Sequence, residues 1–300
     1  MTVIQYQADA QACKQLLKKH GKSYAFATRF FSKNTRLATQ VLYAFFRLPD
    51  EIVDNPKTSD LNQTKKDLLY WKDVWKKAYD NVSGWEIAED VPSVWVPILR
   101  ATSRVFHEYG IPYKYSEEFI SAMIQDTEKT EYQTYAELEK YMYGSAAVVG
   151  LMMSHVIGFT DKRALLFAEE LGYAMQLTNF LRDIKEDLEE RGRVYLPKAE
   201  LESFGITKAQ LLEHRVDEPF RRFMGYQMSR ARALYVSADE GVSLLREDGR
   251  FPVRLAATLY EAILDEIEHQ KCDVFVKRAK TTKLKKIILA LGVWKAEKQR

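Results

Sequence analysis

The sequence predicts an all-α fold that closes as a single domain over residues 1–300. Apolar residues recur at helical spacing from near residue 8 to near residue 295, and no stretch alternates with the period of a strand. Only 13 Gly and 8 Pro are present, too few turn-formers for a sandwich or barrel of many short strands. Hydrophobic residues at 46% and charged residues at 29% suit a globular protein with a sizeable core and exclude a disordered chain. Neither an internal repeat nor a Ser/Gly linker divides the chain.

Taken in order, the helices are cut by breaks at Pro56, across Gly84 to Pro92, at Gly110 to Pro112, at Gly158 to Asp161, around Pro197 and Gly205, and at Gly249 to Pro252. These leave about eight to ten helices. Their starts are marked by Thr134 with Glu137 and Thr207 with Gln210 as capping boxes, by Asp161 as an N-cap, and by Pro252 as a first-turn proline. Before them, the opening MTVIQYQADAQACKQLLKKH lacks the basic start and apolar block of a signal peptide. Cys13 and Cys272 share no metal or disulfide spacing, so a cytoplasmic protein is expected. Midway, Tyr141 to Thr160 is twenty residues long without a formal charge. Its tyrosines, serines, histidine and three glycines make it a buried helix rather than a membrane span, with Gly144 and Gly150 admitting a close backbone or an apolar ligand.

The last 24 residues, 277–300, hold nine Lys or Arg against Glu297, interleaved with Leu284, Ile287, Ile288, Leu291 and Trp294. Such a segment suits either a solvated terminal helix or peripheral contact with the anionic inner face of a membrane. Nucleic acid is not an expected partner, because net charge is only +3 and no recognition motif accompanies the basic tail.

Two stretches carry chemistry. In VLYAFFRLPDEIVD, Tyr43, Arg47, Asp50 and Asp54 share one face of a helix whose remaining circumference is almost wholly apolar. Burying an arginine and two aspartates costs several kcal/mol each unless something neutralises them, so the stripe faces either an ion-pair network or a polar ligand. In QLTNFLRDIKED, Asn179, Asp183 and Asp187 fall four residues apart beside Arg182, opposite the apolar stripe Leu177, Leu181, Ile184 and Leu188. Should the two carboxylate pairs converge, like-charge repulsion calls for bridging cations. Oxygen ligands without His or Cys select Mg²⁺, with Mn²⁺ as a substitute, and Mg²⁺ completes its shell with phosphate oxygens. No glycine-rich nucleotide loop is present, so the phosphate is expected to be held by metal and by Arg47, Arg182 and other basic side chains.

On these residues the chain resembles the phytoene synthase and squalene synthase family, the head-to-head (1′-1) prenyl condensing enzymes. The matching blocks are HGKSYAFATRFF, YAFFRLPDEIVDNP, YMYGSAAVVGLMM and, almost residue for residue, QLTNFLRDIKEDLEERGRVYLP, with weaker likeness through LYEAIL and DVFVKRAK. The resemblance implies an isoprenoid-synthase-type helical bundle around a central apolar cavity, and two prenyl diphosphates as substrates. Asp50, Asp54, Asp183 and Asp187 would then bind Mg²⁺, supported by Asn179, while Arg47, Arg182, Lys22, Ser23 and Arg278 hold diphosphate. Tyr43 and Tyr260 would orient diphosphate or the leaving proton, and Phe26, Phe45 and Phe46 would offer ring faces to cationic carbon. DEIVDNP is closer to phytoene synthases than to the DDSID-like form of C30 enzymes, so geranylgeranyl diphosphate is expected as substrate, in carotenoid biosynthesis and without NADPH.

The chain departs from the family pattern at three places: Gly21 stands where Ser is frequent, the pair Thr130 and Glu131 where a basic residue is frequent, and Pro49 precedes Asp50 and predicts a kink there. Rival readings are a farnesyl diphosphate-using relative, a head-to-tail prenyltransferase or cyclase, and a non-catalytic assembly factor. The NFLRDIKED block speaks against the head-to-tail option and the four retained aspartates against the assembly factor.

Overall fold

The computed structural model describes residues 3–20, 22–54, 60–82 and 87–299, with side chains for all of these except 3–7, 18–20 and 22–24. Among them the chain is helical throughout, with two isolated bridges, Glu131 to Val194 and Phe159 to Leu245, in place of any sheet. The first half runs α1 (Val3–His20), α2 (Lys22–Thr28), α3 (Lys33–Asp54), α4 (Leu61–Asp80), α5 (Trp95–Glu108), α6 (Tyr113–Gln125) and α7 (Tyr135–Met142). A π-helical turn, Tyr143–Ala147, leads into α8 (Val148–Ile157). Then follow α9 (Ala164–Arg182), α10 (Ile184–Arg191), α11 (Lys198–Ser203), α12 (Lys208–Leu212), α13 (Glu218–Val242), α14 (Glu247–His269) and α15 (Lys283–Gln299).

Helix α9 is the axis of the assembly and packs along α13 and against α8, the π turn and α14. That intimacy depends on missing side chains. A Cβ on Gly150 would lie 2.4 Å from the Ala168 carbonyl oxygen, and one on Gly172 would lie 2.8 Å from backbone atoms of Ala146 and Ala147. The uncharged stretch from Tyr141 is therefore a buried partner of α9, as expected, and no helix among the described residues is long and apolar enough to cross a membrane. In the first half, Phe45 of α3 sits among Trp71, Trp75, Phe106 and Phe119, fixing α3 against α4, α5 and α6. Trp75 donates its indole N–H to Ser116 at 2.8 Å, whereas the buried indole N–H of Trp71 in the same block has no hydrogen-bond partner. Cys13 and Cys272 are both free and buried.

Helix α3 carries Pro49 in its interior and ends at Asp54. Several expected boundaries move. Helix α14 begins at Glu247, so Pro252 lies inside it and the break at Gly249 does not occur. Gly249 instead allows close packing, since a Cβ there would meet the Ile157 side chain at 2.2 Å, and Glu247 and Asp248 complement the helix N-terminus. Asp161 caps the turn before α9 by accepting from the Arg163 N–H at 2.8 Å, while Arg163 itself is the N-cap. The Thr207 and Gln210 box is complete. At Thr134 the cap forms, but Glu137 reaches the Gln133 N–H instead. Short helices and the π turn raise the segments to sixteen among the described residues. Pro56, Gly21 and the Gly84 end of one expected break lie outside the described residues.

Candidate active site

A cavity of about 1070 Å³ runs alongside α9. Ala164, Ala168, Leu171, Met175, Asn179 and Asp183 line it in succession, so it follows one face of this helix into the start of α10, nineteen residue steps or about 28 Å. Toward the N-terminal part of α9 the wall is apolar, with Phe167, Met153, Ile157, Val242 and Leu245 facing the same space. Toward its C-terminal end the wall is ionic, and there the two sequence motifs meet.

Tyr43, Arg47, Asp50 and Asp54 all line the cavity from α3, and Asn179, Arg182, Asp183 and Asp187 line it from α9 and α10. Arg191 joins them. It donates to Asp54 at 3.0 and 3.3 Å and to Asp187 at 3.1 Å, spanning the gap between the first and second aspartate pairs. Arg193 approaches Asp54 at 3.8 Å. Asp183 is gripped by two guanidiniums: Arg182 at 2.7 Å and Arg278 at 2.6 and 2.8 Å. Arg47 pairs with both Asp50 and Glu51 along its own helix. The second motif is not one unbroken helix, because Asp183 has φ −105° and ψ 14° and separates α9 from α10. The backbone N–H of Asp183 still reaches the Asn179 carbonyl and that of Asp187 the Asp183 carbonyl, both at 2.9 Å, so the spacing survives the break. Opposite, Leu177, Leu181, Ile184 and Leu188 are buried in the core as the periodicity predicts.

The acids do not share one electrostatic fate. Protein encloses Asp50 although 41% of its side chain faces the cavity, and this enclosure, with the charge of Asp54 added, pushes its pKa up to about 7. Asp187 is likewise pushed up to about 7 by burial and then by Asp183. Burial acts on Asp183 too, but hydrogen bonds and charge from Arg182 and Arg278 outweigh it and hold its carboxyl below the usual carboxylate range. Tyr43 is pushed up to about 12, chiefly by burial, so its hydroxyl stays protonated at neutral pH.

Sequence reasoning misplaced or missed several groups. Phe46 lines the cavity, but Phe45 belongs to the aromatic core and Phe26 packs against Phe30. The side chains of Lys22 and Ser23 lie outside the described residues. Glu131 pairs with Lys208 and holds the bridge to Val194. In the sequence Arg191 and Arg193 stand out only as part of a matching block, and nothing there singles out Asp126. Asp126 is buried beneath the carboxylates, accepts from Tyr141 at 2.6 Å and Tyr195 at 2.9 Å, and is pushed up to about 6 by burial. Tyr260 and Arg278 line the cavity as expected.

The chain matches the squalene/phytoene synthase family model over residues 17–285. It belongs to that family. A phytoene synthase of Arthrospira platensis is 33% identical over 291 residues, covering 93% of this chain and 90% of that protein. The chloroplastic phytoene synthase 3 of Zea mays is 32% identical over 282 residues, covering 92% of this chain and 63% of the plant protein's length. A crystal structure of a dehydrosqualene synthase superimposes with a TM-score of 0.83 at 27% identity, covering 98% of each chain. The family consists of prenyltransferases, and the isoprenoid-synthase-type bundle expected from the sequence is the observed one.

As it stands, no set of three or more acidic, histidine or cysteine side chains among the described residues is spaced around one ion. The donor set nonetheless fits a hard divalent cation. Four carboxylates and an amide line this end of the cavity without sulfur or imidazole, and Asp50 and Asp187 are raised first by burial and then by the neighbouring charges of Asp54 and Asp183, an excess that a cation relieves. The buried Nε of Arg47 has no hydrogen-bond partner, as a group awaiting an anionic ligand would.

Proposed function

We propose that the protein condenses two molecules of geranylgeranyl diphosphate head to head (1′-1), through prephytoene diphosphate, to phytoene, in a Mg²⁺-dependent reaction. One observation carries this reading: aspartates from two distant stretches meet, with arginines, where an apolar cavity along α9 becomes ionic. The names of the two relatives support the product, and the apolar wall supports a long prenyl chain.

Asp50, Asp54, Asp183 and Asp187 would hold the metal, with Asn179 supporting them; bound Mg²⁺ would offset charge on the departing diphosphate. Arg47, Arg182 and Arg278 bind diphosphate oxygens, and Lys22 and Ser23 are assigned the same task. Tyr43, kept protonated, and Tyr260 donate hydroxyls that orient the leaving group. The donor's C1–O bond breaks and its diphosphate leaves. The acceptor's double bond attacks the resulting cation, and loss of one proton closes the cyclopropane. The second diphosphate then leaves, the carbon skeleton rearranges, and a further proton is lost, so no reductant is consumed and NADPH is not required. Met153, Phe46, Leu171 and their neighbours keep water from the cations.

A second reading, a C15 substrate giving a dehydrosqualene-type product, is favoured by the superposition on a dehydrosqualene synthase. Incubating the purified protein with Mg²⁺ and either C15 or C20 diphosphate, with and without NADPH, and identifying the hydrocarbon decides between them. Phytoene from the C20 substrate alone supports the first reading, a C30 hydrocarbon supports the second, and no condensation with either overturns both.

A further inference from the structure

Helix α15 is apolar on two sides, and the protein covers only one of them. Leu289, Ala290 and Val293 pack toward α14 with the cluster of Leu255 and Leu259. Glu297 turns the same way and pairs with Arg254 of α14. On the opposite side Leu284, Ile287, Ile288, Leu291 and Trp294 follow at helical spacing, and they are 46–67% exposed. A helix that is apolar all round is ordinarily buried, so this outward stripe is short of a partner of its own character.

The surrounding charge says what that partner is. Lys283, Lys295 and Lys298 border the stripe, all exposed, and the helix's single acid, Glu297, faces the protein. Lys298 stands over the Trp294 ring, 3.9 Å from its centroid, the pairing of an aromatic and a snorkelling cation that suits a headgroup layer. A second copy docked on this face would bring lysines against lysines. An anionic surface with an apolar interior is complementary to both features at once. The same segment also borders the cavity, because Thr281 and Lys286 line it together with Arg278.

We propose that the outward face of α15 docks the protein on an anionic lipid bilayer, setting the cavity mouth beside the phase from which prenyl chains are drawn and into which a hydrocarbon product is released. The docking surface itself rests on α15 alone; only its use in substrate traffic rests on the function proposed above.

The experiment uses the full chain without substrate or metal, so failure of the catalytic reading leaves its outcome untouched. Protein is sedimented with vesicles of phosphatidylcholine mixed with phosphatidylglycerol, and with vesicles of phosphatidylcholine alone. The wild type is expected to pellet with the anionic vesicles, less so as NaCl is raised. Exchanging Ile287, Ile288 and Leu291 for Ser is expected to weaken partitioning about tenfold or more, with circular dichroism unchanged. Exchanging Lys283, Lys295 and Lys298 for Gln is expected to remove the preference for anionic vesicles, and this second variant keeps the test decisive if the serine variant misfolds. A wild type that stays in the supernatant, or variants that pellet as it does, would overturn the proposal. So would a concentration-dependent dimer in sedimentation equilibrium that the serine variant abolishes, since the stripe would then belong to a second copy.

Discussion

Asp183 is the most heavily bonded of the four aspartates, since two guanidiniums grip it and keep it ionised despite burial. Asp183→Asn removes the charge that Arg182 and Arg278 share, leaving Arg278 only Glu186 at 3.5 Å, and removes a proposed metal ligand, so turnover should fall roughly 10²- to 10³-fold or more. Asp50→Asn should do the same. Helical circular dichroism should stay intact in both, and full activity in both would refute the assignment. A different residue sets a pH dependence away from the site. His155 is held below its usual pKa, first by burial, although a hydrogen bond with the Tyr109 backbone pulls the other way. The folded protein thus binds its proton less readily than the unfolded chain. The stabilising contribution of neutral His155 is complete above the unfolded value near 6.5 and is lost as pH falls through the folded value. His155→Gln should flatten that part of the melting-temperature profile; an unchanged profile would count against it. Which site residues were readable follows from range. Asp50, Asp54, Asp183 and Asp187 announce themselves by spacing on their own helices. Asp126 depends on Tyr141 and Tyr195, the latter 69 residues away, and such a pairing leaves no local pattern. Arg191 was visible four residues after Asp187, yet an acid and a base at that spacing are ordinary on solvated helices, and only the fold brings in Asp54.

At the scale of elements, glycine placement separates close packing from mere permissiveness. Gly150→Ala drives a methyl into the α9 backbone at Ala168 and should destabilise by about 1–3 kcal/mol in denaturant titration. Gly225→Ala in α13 meets nothing within 4 Å and should stabilise by about 0.5–1 kcal/mol. Equal effects of one sign would show that α8 and α9 are not held as close as described. The same distinction explains the misread boundaries. Gly249 and Pro252 read locally as a helix break, but Gly249 serves contact with Ile157, which periodicity does not reveal. The π turn at Tyr143–Ala147 was hidden for a related reason: it inserts its extra residue without any proline or charge to mark it, at a point where Ser145 faces the cavity.

Over the whole molecule, helical periodicity and the scarcity of turn-formers made the all-α architecture readable, because both are averages over many residues. The cavity was readable only through the family resemblance and not from periodicity, because it is space left between α3, α8, α9, α13 and α14 and depends on how their faces meet. Its depth bears on substrate length. Ala168 lines the apolar part fifteen residue steps before Asp183, about 22 Å along α9. A ring placed there by Ala168→Phe should lower kcat/KM for the C20 diphosphate by about tenfold or more while sparing the C15 diphosphate. Equal loss with both would show that the prenyl chain does not run along α9. The central claim concerns the ionic end. Crystals grown with Mn²⁺ and an unreactive prenyl thiodiphosphate, measured for anomalous scattering, test it most directly. Manganese peaks between the Asp50 and Asp54 carboxylates and those of Asp183 and Asp187, in contact with the diphosphate, are expected. A diphosphate bound elsewhere, or bound with no metal while Arg191 still joins Asp54 to Asp187, would contradict the account.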